Sequence, residues 1–291
     1  MPDLDYFEIF RRIGFLVEGI ALIYIGKLIR DLFYMARGYK LVEMITKKDN
    51  LAASIELCGF LFAMIMATMN SIIVRHHSWT GQAMDIALTG LSVTILLLVA
   101  DWITDKAIFR KMDDYKEIYQ NQNIALACGR FGGVVATGFI ISGALGDGQS
   151  EATIWQSIGF CLLWFLFGQI MLILISLAYQ KLTPYDDLRE IKDKNVAAAL
   201  PIAGILIAVG LTINSGINGV SEHLREDLVS VTLYVLSTAV LLYILRIFTD
   251  YLLLPKADLS KEISEDKNIG AGLIEGTSFI MGGLILSYFF N

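Results

Sequence analysis

The chain alternates between long apolar blocks and short polar ones. Eight stretches of about 22 mainly apolar residues stand out, each long enough to cross about 30 Å of hydrocarbon as a helix. We predict these spans at residues 13–35, 51–74, 83–104, 123–145, 153–179, 195–217, 228–254 and 268–290. The pattern therefore predicts an all-α polytopic membrane protein with eight transmembrane helices.

Composition supports the same class of protein. The 291 residues are 55% hydrophobic and 18% charged, and the mean hydropathy is +0.60. After the eight spans, about 115 residues remain for seven loops and two tails, which is too few for a separate soluble domain of ordinary size. Any chemistry must therefore be built from the spans and the short loops.

The distribution of positive charge predicts the orientation. Fifteen Lys and Arg residues lie in the four loops that follow spans 1, 3, 5 and 7, whereas the other three loops hold two. Cytoplasmic loops carry the excess of Lys and Arg in membrane proteins. We therefore expect these four loops to be cytoplasmic and both termini to lie on the outer, periplasmic or extracellular, side.

The two halves of the chain are similar to each other. Residues of the first half recur 145 positions later without gaps across several landmarks. Matched positions include Asn50 and Asn195, Gly59 and Gly204, Lys111 and Lys256, and Gly138 and Gly283. We therefore predict two tandem four-span repeats, residues 1–146 and residues 147–291.

Each half divides again into two helical hairpins. Four asparagines, separated by 73, 72 and 73 residues, each open a run rich in Ala and Gly; they are Asn50, Asn123, Asn195 and Asn268. An Asn side chain caps the free amides of a following helix, and small residues allow helices to approach closely in lipid. We therefore interpret these asparagines as structural N-caps of the second span in each hairpin.

The phased runs NLAASIELCG, NIALACGRFG, NVAAALPIAG and NIGAGLIEGT carry a resemblance to a known family. Together with the paired spans, they resemble the YjfL-like inner-membrane family, also called domain of unknown function 350, with the four-span unit of shorter members duplicated. The resemblance implies a bacterial inner-membrane location. It suggests a membrane-stress role only by association with gene neighbourhoods, and it supplies no catalytic residues.

Charged residues inside the spans are the strongest functional candidates. Such a side chain costs about 2.5 to 3.5 kcal/mol on insertion, so it is expected to be paired or to line a polar pathway. The shift of 145 places Asp101 over Arg246 and Arg130 over Glu275, with the signs exchanged. We therefore predict an Asp101/Arg130 contact in the second hairpin and an Arg246/Glu275 contact in the fourth.

Further charged residues extend this set. Glu56 lies six residues past its Asn, and we expect Lys27 or Arg30 on the first span to face it. The candidates for an ion or proton pathway are Glu56, Asp101, Arg130, Arg246 and Glu275. Secondary candidates are Asp105 and Asp250, expected nearer the membrane surface, and Glu18, expected toward the outer end of span 1.

Two interpretations of these charges stay open. In one, the pairs line a cytoplasmic-side vestibule of a channel or transporter that moves small ions or protons. In the other, the pairs lock helices together in a non-catalytic membrane-stress scaffold whose charged loops dock a cytoplasmic partner. The lipid bilayer is the expected partner of either protein, and a homo-oligomer is compatible with both.

Other functional classes are not expected. The chain has no HExxH motif, no phosphate-binding glycine loop, and no Ser or Cys placed with a His inside the spans, so we expect no enzyme. The three cysteines lack the spacing of a metal site, and we expect neither a metal nor a cofactor. An acidic chain without a basic patch is not expected to bind nucleic acid.

Overall fold

The computed structural model describes residues 6–73, 78–146, 154–217, 223–253, 255 and 258–290, and all regular structure in these segments is helical. The long helices are α1 (Tyr6–Met35), α3 (Leu51–Ile73), α4 (Trp79–Ile103), α6 (Ile124–Leu145), α7 (Ile154–Leu182), α9 (Val196–Gly216), α10 (Leu224–Phe248) and α12 (Ile269–Phe290). The short helices are α2 (Leu41–Lys48), α5 (Asp114–Tyr119), α8 (Asp187–Lys192) and α11 (Leu259–Ser264).

Seven of the described helices are long and apolar enough to cross a membrane: α3, α4, α6, α7, α9, α10 and α12. Two of them run on through a π-helical turn, α4 through Thr104–Ile108 and α10 through Thr249–Leu253. Helix α1 has 30 residues, but Lys27, Arg30 and Asp31 interrupt its apolar run. The prediction of a multi-pass, all-helical membrane protein is confirmed at this level.

Four helices form a central row. Helices α3, α6, α9 and α12 lie side by side in chain order, and each packs along the next. The other long helices cover this row: α4 packs against α3 and α6, α7 against α6 and α9, and α10 against α9 and α12. Helix α1 packs against α3 and α4. We call each set of outer, short and row helix a hairpin, so that hairpin 1 is α1–α2–α3.

Small residues allow the row helices to approach closely. The same contact recurs at all three junctions, because a Cβ atom on Gly138, Gly210 or Gly283 would lie 2.5 to 2.7 Å from a Cα atom of the preceding row helix. The facing residues are Ala63, Ala136 and Ala208 respectively. Since lipid offers no hydrophobic drive between helices, this close packing is a main source of their association.

The two ends of the row carry larger residues at these positions. Ile65 of α3 matches the three glycines by the repeat spacing, and Met281 of α12 matches the three alanines. Both side chains are exposed, Ile65 at 42% and Met281 at 48%. The two end helices of the row, α3 and α12, therefore expose bulky apolar side chains at these positions.

The four basic loops contain short helices, which the sequence interpretation treated as loops without helical structure. Each short helix buries one or two apolar side chains, such as Ile118 in α5 and Ile191 in α8. Each is followed by a residue with left-handed backbone conformation immediately before the Asn of the row helix; these are Asp49, Gln122, Lys194 and Lys267. This turn returns the chain into the membrane.

The asparagines bind on both sides of that turn. Their Oδ1 atoms accept from the first free amides of the row helices, as Asn50 does from Ala53 at 3.0 Å and Asn123 from Leu126 at 3.1 Å. The equivalent bonds are Ala197 to Asn195 at 3.1 Å and Gly270 to Asn268 at 3.0 Å. This is the geometry of a helix N-cap.

The Asn amide nitrogen connects one hairpin to the next. Asn50 Nδ2 donates to the Ile118 carbonyl at 2.9 Å, Asn123 to Ile191 at 2.9 Å, and Asn195 to Ile263 at 2.7 Å. In the last hairpin, Asn268 donates instead to Glu262 of its own short helix at 2.8 Å. Three asparagines therefore join neighbouring hairpins, and the fourth does not.

This difference predicts unequal stability losses. Asn123→Ala removes a cap and leaves the buried Ile191 carbonyl without its donor, so we expect a loss of about 2 to 3 kcal/mol. Asn268→Ala removes only a cap and an exposed bond, and we expect about 1 kcal/mol. Thermal unfolding of the two variants in detergent measures the difference, and equal losses would contradict the proposed role of the amide.

The close packing of the row helices can be tested at the contact between Gly210 and Ala136. Gly210→Val places methyl groups against the Ala136 backbone. We expect the free energy of unfolding to fall by about 1 to 3 kcal/mol, or the helices to fail to assemble. Gly159→Val is the control, because nothing lies within 4 Å of its Cβ position. The readouts are melting temperature and the size-exclusion profile in detergent, and a Gly210 variant as stable as the control would refute the tight contact.

Candidate functional site

Five charged side chains meet in the first half of the chain, and we call them cluster I: Arg30, Glu56, Asp101, Asp114 and Arg130. All five are buried. Arg130 is central, since its Nε atom lies 2.9 Å from a Glu56 oxygen and its Nη2 atom lies 2.9 Å from an Asp101 oxygen. It also contacts Asp114, while Arg30 lies 3.2 Å from the second Glu56 oxygen.

Tyrosines complete and cover cluster I. Tyr34 donates to Asp101 at 2.9 Å and to Glu56 at 3.3 Å, and Tyr119 donates to the other Glu56 oxygen. The rings of Tyr34, Tyr39, Tyr115 and Tyr119 contact one another, with centroids 5.1 to 6.2 Å apart. These four rings form a continuous aromatic layer beside the charges.

The structure brings Asp101 and Arg130 together, as predicted, and adds a contact between hairpins that the prediction did not include. Glu56 on α3 reaches Arg130 on α6, because small residues bring these two row helices close together. Arg30 faces Glu56, whereas Lys27 pairs with Asp31 one turn along its own helix.

Asp105 lies one turn beyond Asp101, toward the short helix α5. Its side chain is buried at the π-helical turn, and one oxygen lies 3.0 Å from the Lys106 amine. Asp250, at the matching position, is partly buried, and its oxygen accepts from the Leu259 amide at 2.9 Å. Asp250 therefore connects α10 to α11. Glu18 is partly exposed on α1, away from both groups of buried charges.

A looser group lies in the second half, and we call it cluster II: Tyr179, Tyr185, Asp187, Arg246 and Glu275. Arg246 lies 3.5 Å from Glu275, and the Tyr179 hydroxyl donates to the same Glu275 oxygen at 3.5 Å. The Arg246 guanidinium also lies over the Tyr179 ring, 5.4 Å from its centroid. Asp187 accepts from Thr183.

Sequence reasoning missed several members of both clusters. Tyr34 and Tyr179 are 145 residues apart, so the repeat shift that identified the charge pairs could have identified them. Asp114 and Asp187 are the first residues of two matching short helices, 73 residues apart. Both were overlooked because they lie in polar loops, where an acidic residue is ordinary.

These two aspartates have unusual acidity. Burial raises the pKa of Asp114 to about 8, with neighbouring Asp105 adding to the effect and Arg130 opposing it. Burial likewise raises the pKa of Asp187 to about 7. Asp186, next along the chain, is exposed, and its hydrogen bond from Lys111 lowers its pKa. Carboxyl groups at both short helices therefore hold a proton near neutral pH.

A polar cleft of about 340 Å³ leads to cluster II. Its walls include Thr183, Tyr185 and Asp187, and residues from the loop after α4 form the other side. The Lys111 amine lies 2.8 Å from the Asp186 carboxylate and joins the two walls. Within the described segments, no group of three or more His, Cys, Asp or Glu side chains could hold a metal ion.

The raised pKa of Asp187 predicts a pH-dependent stability. Its pKa is about 7 in the folded protein and about 3.8 when unfolded, so its contribution is present below pH 4 and is lost as the pH rises through 7. Asp187→Asn should flatten the fall in melting temperature across this range. Asp186→Asn is the control, because a lowered pKa affects stability only at more acidic pH.

Comparison with known proteins identifies relatives of this architecture. The family described as Domain of Unknown Function (DUF350) matches the chain twice, at residues 7–145 and 153–290. A "UPF0719 transmembrane protein" from Aquifex aeolicus (strain VF5) is 26% identical over 274 residues, covering 94% of this chain and 97% of that protein. No solved structure matches. The resemblance inferred from the phased asparagines is confirmed: the chain belongs to the DUF350 family.

Proposed function

We propose that the chain is a proton-linked channel or transporter for small ions. The observation that carries this proposal is an excess of buried carboxyl groups over buried cations. Cluster I contains three carboxyl groups and two guanidinium groups, and cluster II contains two carboxyl groups and one guanidinium group. Each cluster therefore has one carboxyl group without a matching positive charge.

An unmatched buried carboxylate is unstable in a low-dielectric environment. It must take up a proton or hold a cation, because a bare charge there costs several kcal/mol. Ionisable residues at membrane depth commonly mark ion or proton pathways for this reason. Arg130 and Glu275 lie seven residues past their Asn caps, which places them about 10 Å into the row. This depth suits a binding step reached from the side of the short helices.

The proposal includes eight spans in two tandem four-helix repeats. Helix α1 joins the other seven because its interior charges are neutralised locally: Lys27 contacts Asp31, and Arg30 contacts Glu56. The double family match over both halves supports the repeats. An even number of spans would put both termini on one side, and the basic short-helix loops support an orientation with that side outside a bacterial inner membrane.

A non-catalytic scaffold is the second candidate, and cluster I favours it. Its charges contact one another at 2.9 to 3.2 Å beneath the tyrosine layer, as expected of a lock between helices. In that case the exposed charged faces of the short helices would dock a cytoplasmic partner. Neither candidate includes a catalytic step.

Reconstitution into proteoliposomes separates the two candidates. A pH-sensitive dye trapped inside reports proton movement, and we expect the wild-type chain to dissipate an imposed gradient. Glu275→Gln should slow this flux by about tenfold, equivalent to about 1.4 kcal/mol in the barrier. Glu265→Gln is the control, because this exposed carboxylate lies outside both clusters.

Stability measured on the same samples completes the test. Wild-type flux no greater than that of empty liposomes would reject the transport proposal. If Glu275→Gln lowers the melting temperature but leaves the flux unchanged, the charges are structural and the scaffold is favoured.

A further inference from the structure

The two halves have diverged at the positions that surround the buried charges. Where the first half carries Asp114, Tyr115 and Tyr119, the second half carries Leu259, Ser260 and Ser264 at a spacing of 145. Two large rings and one carboxyl group are thus replaced by smaller or apolar side chains. The same architecture therefore surrounds its charges differently in each half.

Cluster I is closed within itself. Its central Arg130 contacts three carboxyl groups, and Tyr34 and Tyr119 donate to two of them. Burial, together with the neighbouring Asp105, raises the pKa of Asp114 to about 8, so the surplus carboxyl group of cluster I is protonated near neutral pH. The tyrosine layer, which includes Tyr115 and Tyr119 of α5, packs beside this group. These contacts describe a permanent lock between hairpins 1 and 2.

Cluster II is open by comparison. Its contacts to Glu275 are 3.5 Å long, against 2.9 Å between Arg130 and Glu56 in cluster I. Among the described residues, both clusters hold a buried carboxyl oxygen without a hydrogen-bond partner: Glu275 Oε2 and Asp187 Oδ1 in cluster II, and Asp114 Oδ1 in cluster I. The Glu275 and Asp187 side chains are at most 1% exposed. In such a site, a proton removes the charge of the carboxyl group, and a bridging water molecule supplies the missing hydrogen bond.

The polar cleft extends as far as cluster II. Asp187 forms part of the wall of the cleft of about 340 Å³, and the volume is sufficient for several water molecules. The Lys111–Asp186 ion pair crosses it, with both side chains about half exposed. Water can therefore reach the carboxyl group of Asp187 while Glu275 lies deeper.

We propose that cluster II is an exchangeable proton site, with Asp187 as its entry carboxyl group and Glu275 as its inner one, and that cluster I is a fixed structural lock. The site would take a proton from water in the cleft. The role of this proton site rests on the proposed function, but proton binding at the site can be tested without measuring ion transport. The two duplicated halves would then differ in role, with a structural lock in the first half and a proton site in the second.

Groups from several elements face the two carboxyl groups. They are Tyr179 and Thr183 of α7, Tyr185 and Asp186 before α8, Arg246 of α10, and Asp250 at the following turn. At Asp187, burial raises the pKa and the neighbouring Glu275 and Asp186 add to this effect, whereas Arg246 opposes it. One proton shared over the two carboxyl groups balances the single guanidinium charge.

Labelling with dicyclohexylcarbodiimide tests this division on the intact wild-type chain in detergent or vesicles. A protonated carboxyl group adds across one carbon–nitrogen double bond: its O–H bond breaks, and a C–O and an N–H bond form. The O-acylisourea then rearranges to a stable N-acylurea without any oxidant or reductant. Peptide mass spectrometry locates the adduct.

We expect the adduct on Asp187 or Glu275, with at least about fivefold more at pH 6 than at pH 9, because the reagent requires the protonated form. Asp187→Asn should reduce total labelling, whereas Glu265→Gln, at an exposed carboxylate outside both clusters, should leave it unchanged. Since the wild-type map alone places the adduct, the result does not depend on either variant folding.

An adduct on Asp114 or Glu56 in place of cluster II, or no adduct at any pH, would overturn the inference. Labelling that does not respond to pH would also overturn it, because a proton site must empty at alkaline pH. Labelling on cluster II in a protein without ion flux would leave the site standing and reject transport. Flux without such labelling would keep transport and reject the site.

Discussion

Each hairpin depends on its neighbour through one amide group. The Asn side chain caps a row helix with its oxygen and holds the next hairpin with its nitrogen, so one residue sets both where the helix begins and how deep its neighbour lies. Asn50 is fully buried, so leaving either bond unmade would strand a polar group away from water. The relative depth of all four row helices follows from three repetitions of this bond, and the close glycine–alanine contacts require that depth.

The buried charges are possible only because of this register. Glu56 and Arg130 belong to different hairpins and meet within 2.9 Å, a contact that a slip of one turn, about 5.4 Å, would break. The cost of an isolated charge in the membrane then acts against misaligned assembly. The contacts of cluster I therefore stabilise the register that the asparagines set. The longer contacts of cluster II allow the protonation of its carboxyl groups to change.

The sequence revealed the periodic part of this architecture and not the contacts between its units. Long apolar runs predicted the spans, and the shift of 145 residues predicted the Asp101–Arg130 contact. Symmetry within a hairpin could not reveal that Glu56 crosses to Arg130, since that depends on how closely two helices pack. Asp114 and Asp187 were missed because burial, which a polar loop sequence does not show, is what makes them unusual.

The bulky residues at the ends of the row bear on how such a chain can grow. Ile65 and Met281 stand where every internal junction has glycine and alanine, so a further helix could not dock there at the same distance. Lengthening the protein by another unit would require a smaller residue at the end where the unit is added, at Met281 after α12 or at Ile65 before α3. Conversely, a four-span relative with small residues at both ends would expose a face able to bind a separate copy, and the size of two side chains would distinguish a fused chain from an assembled one.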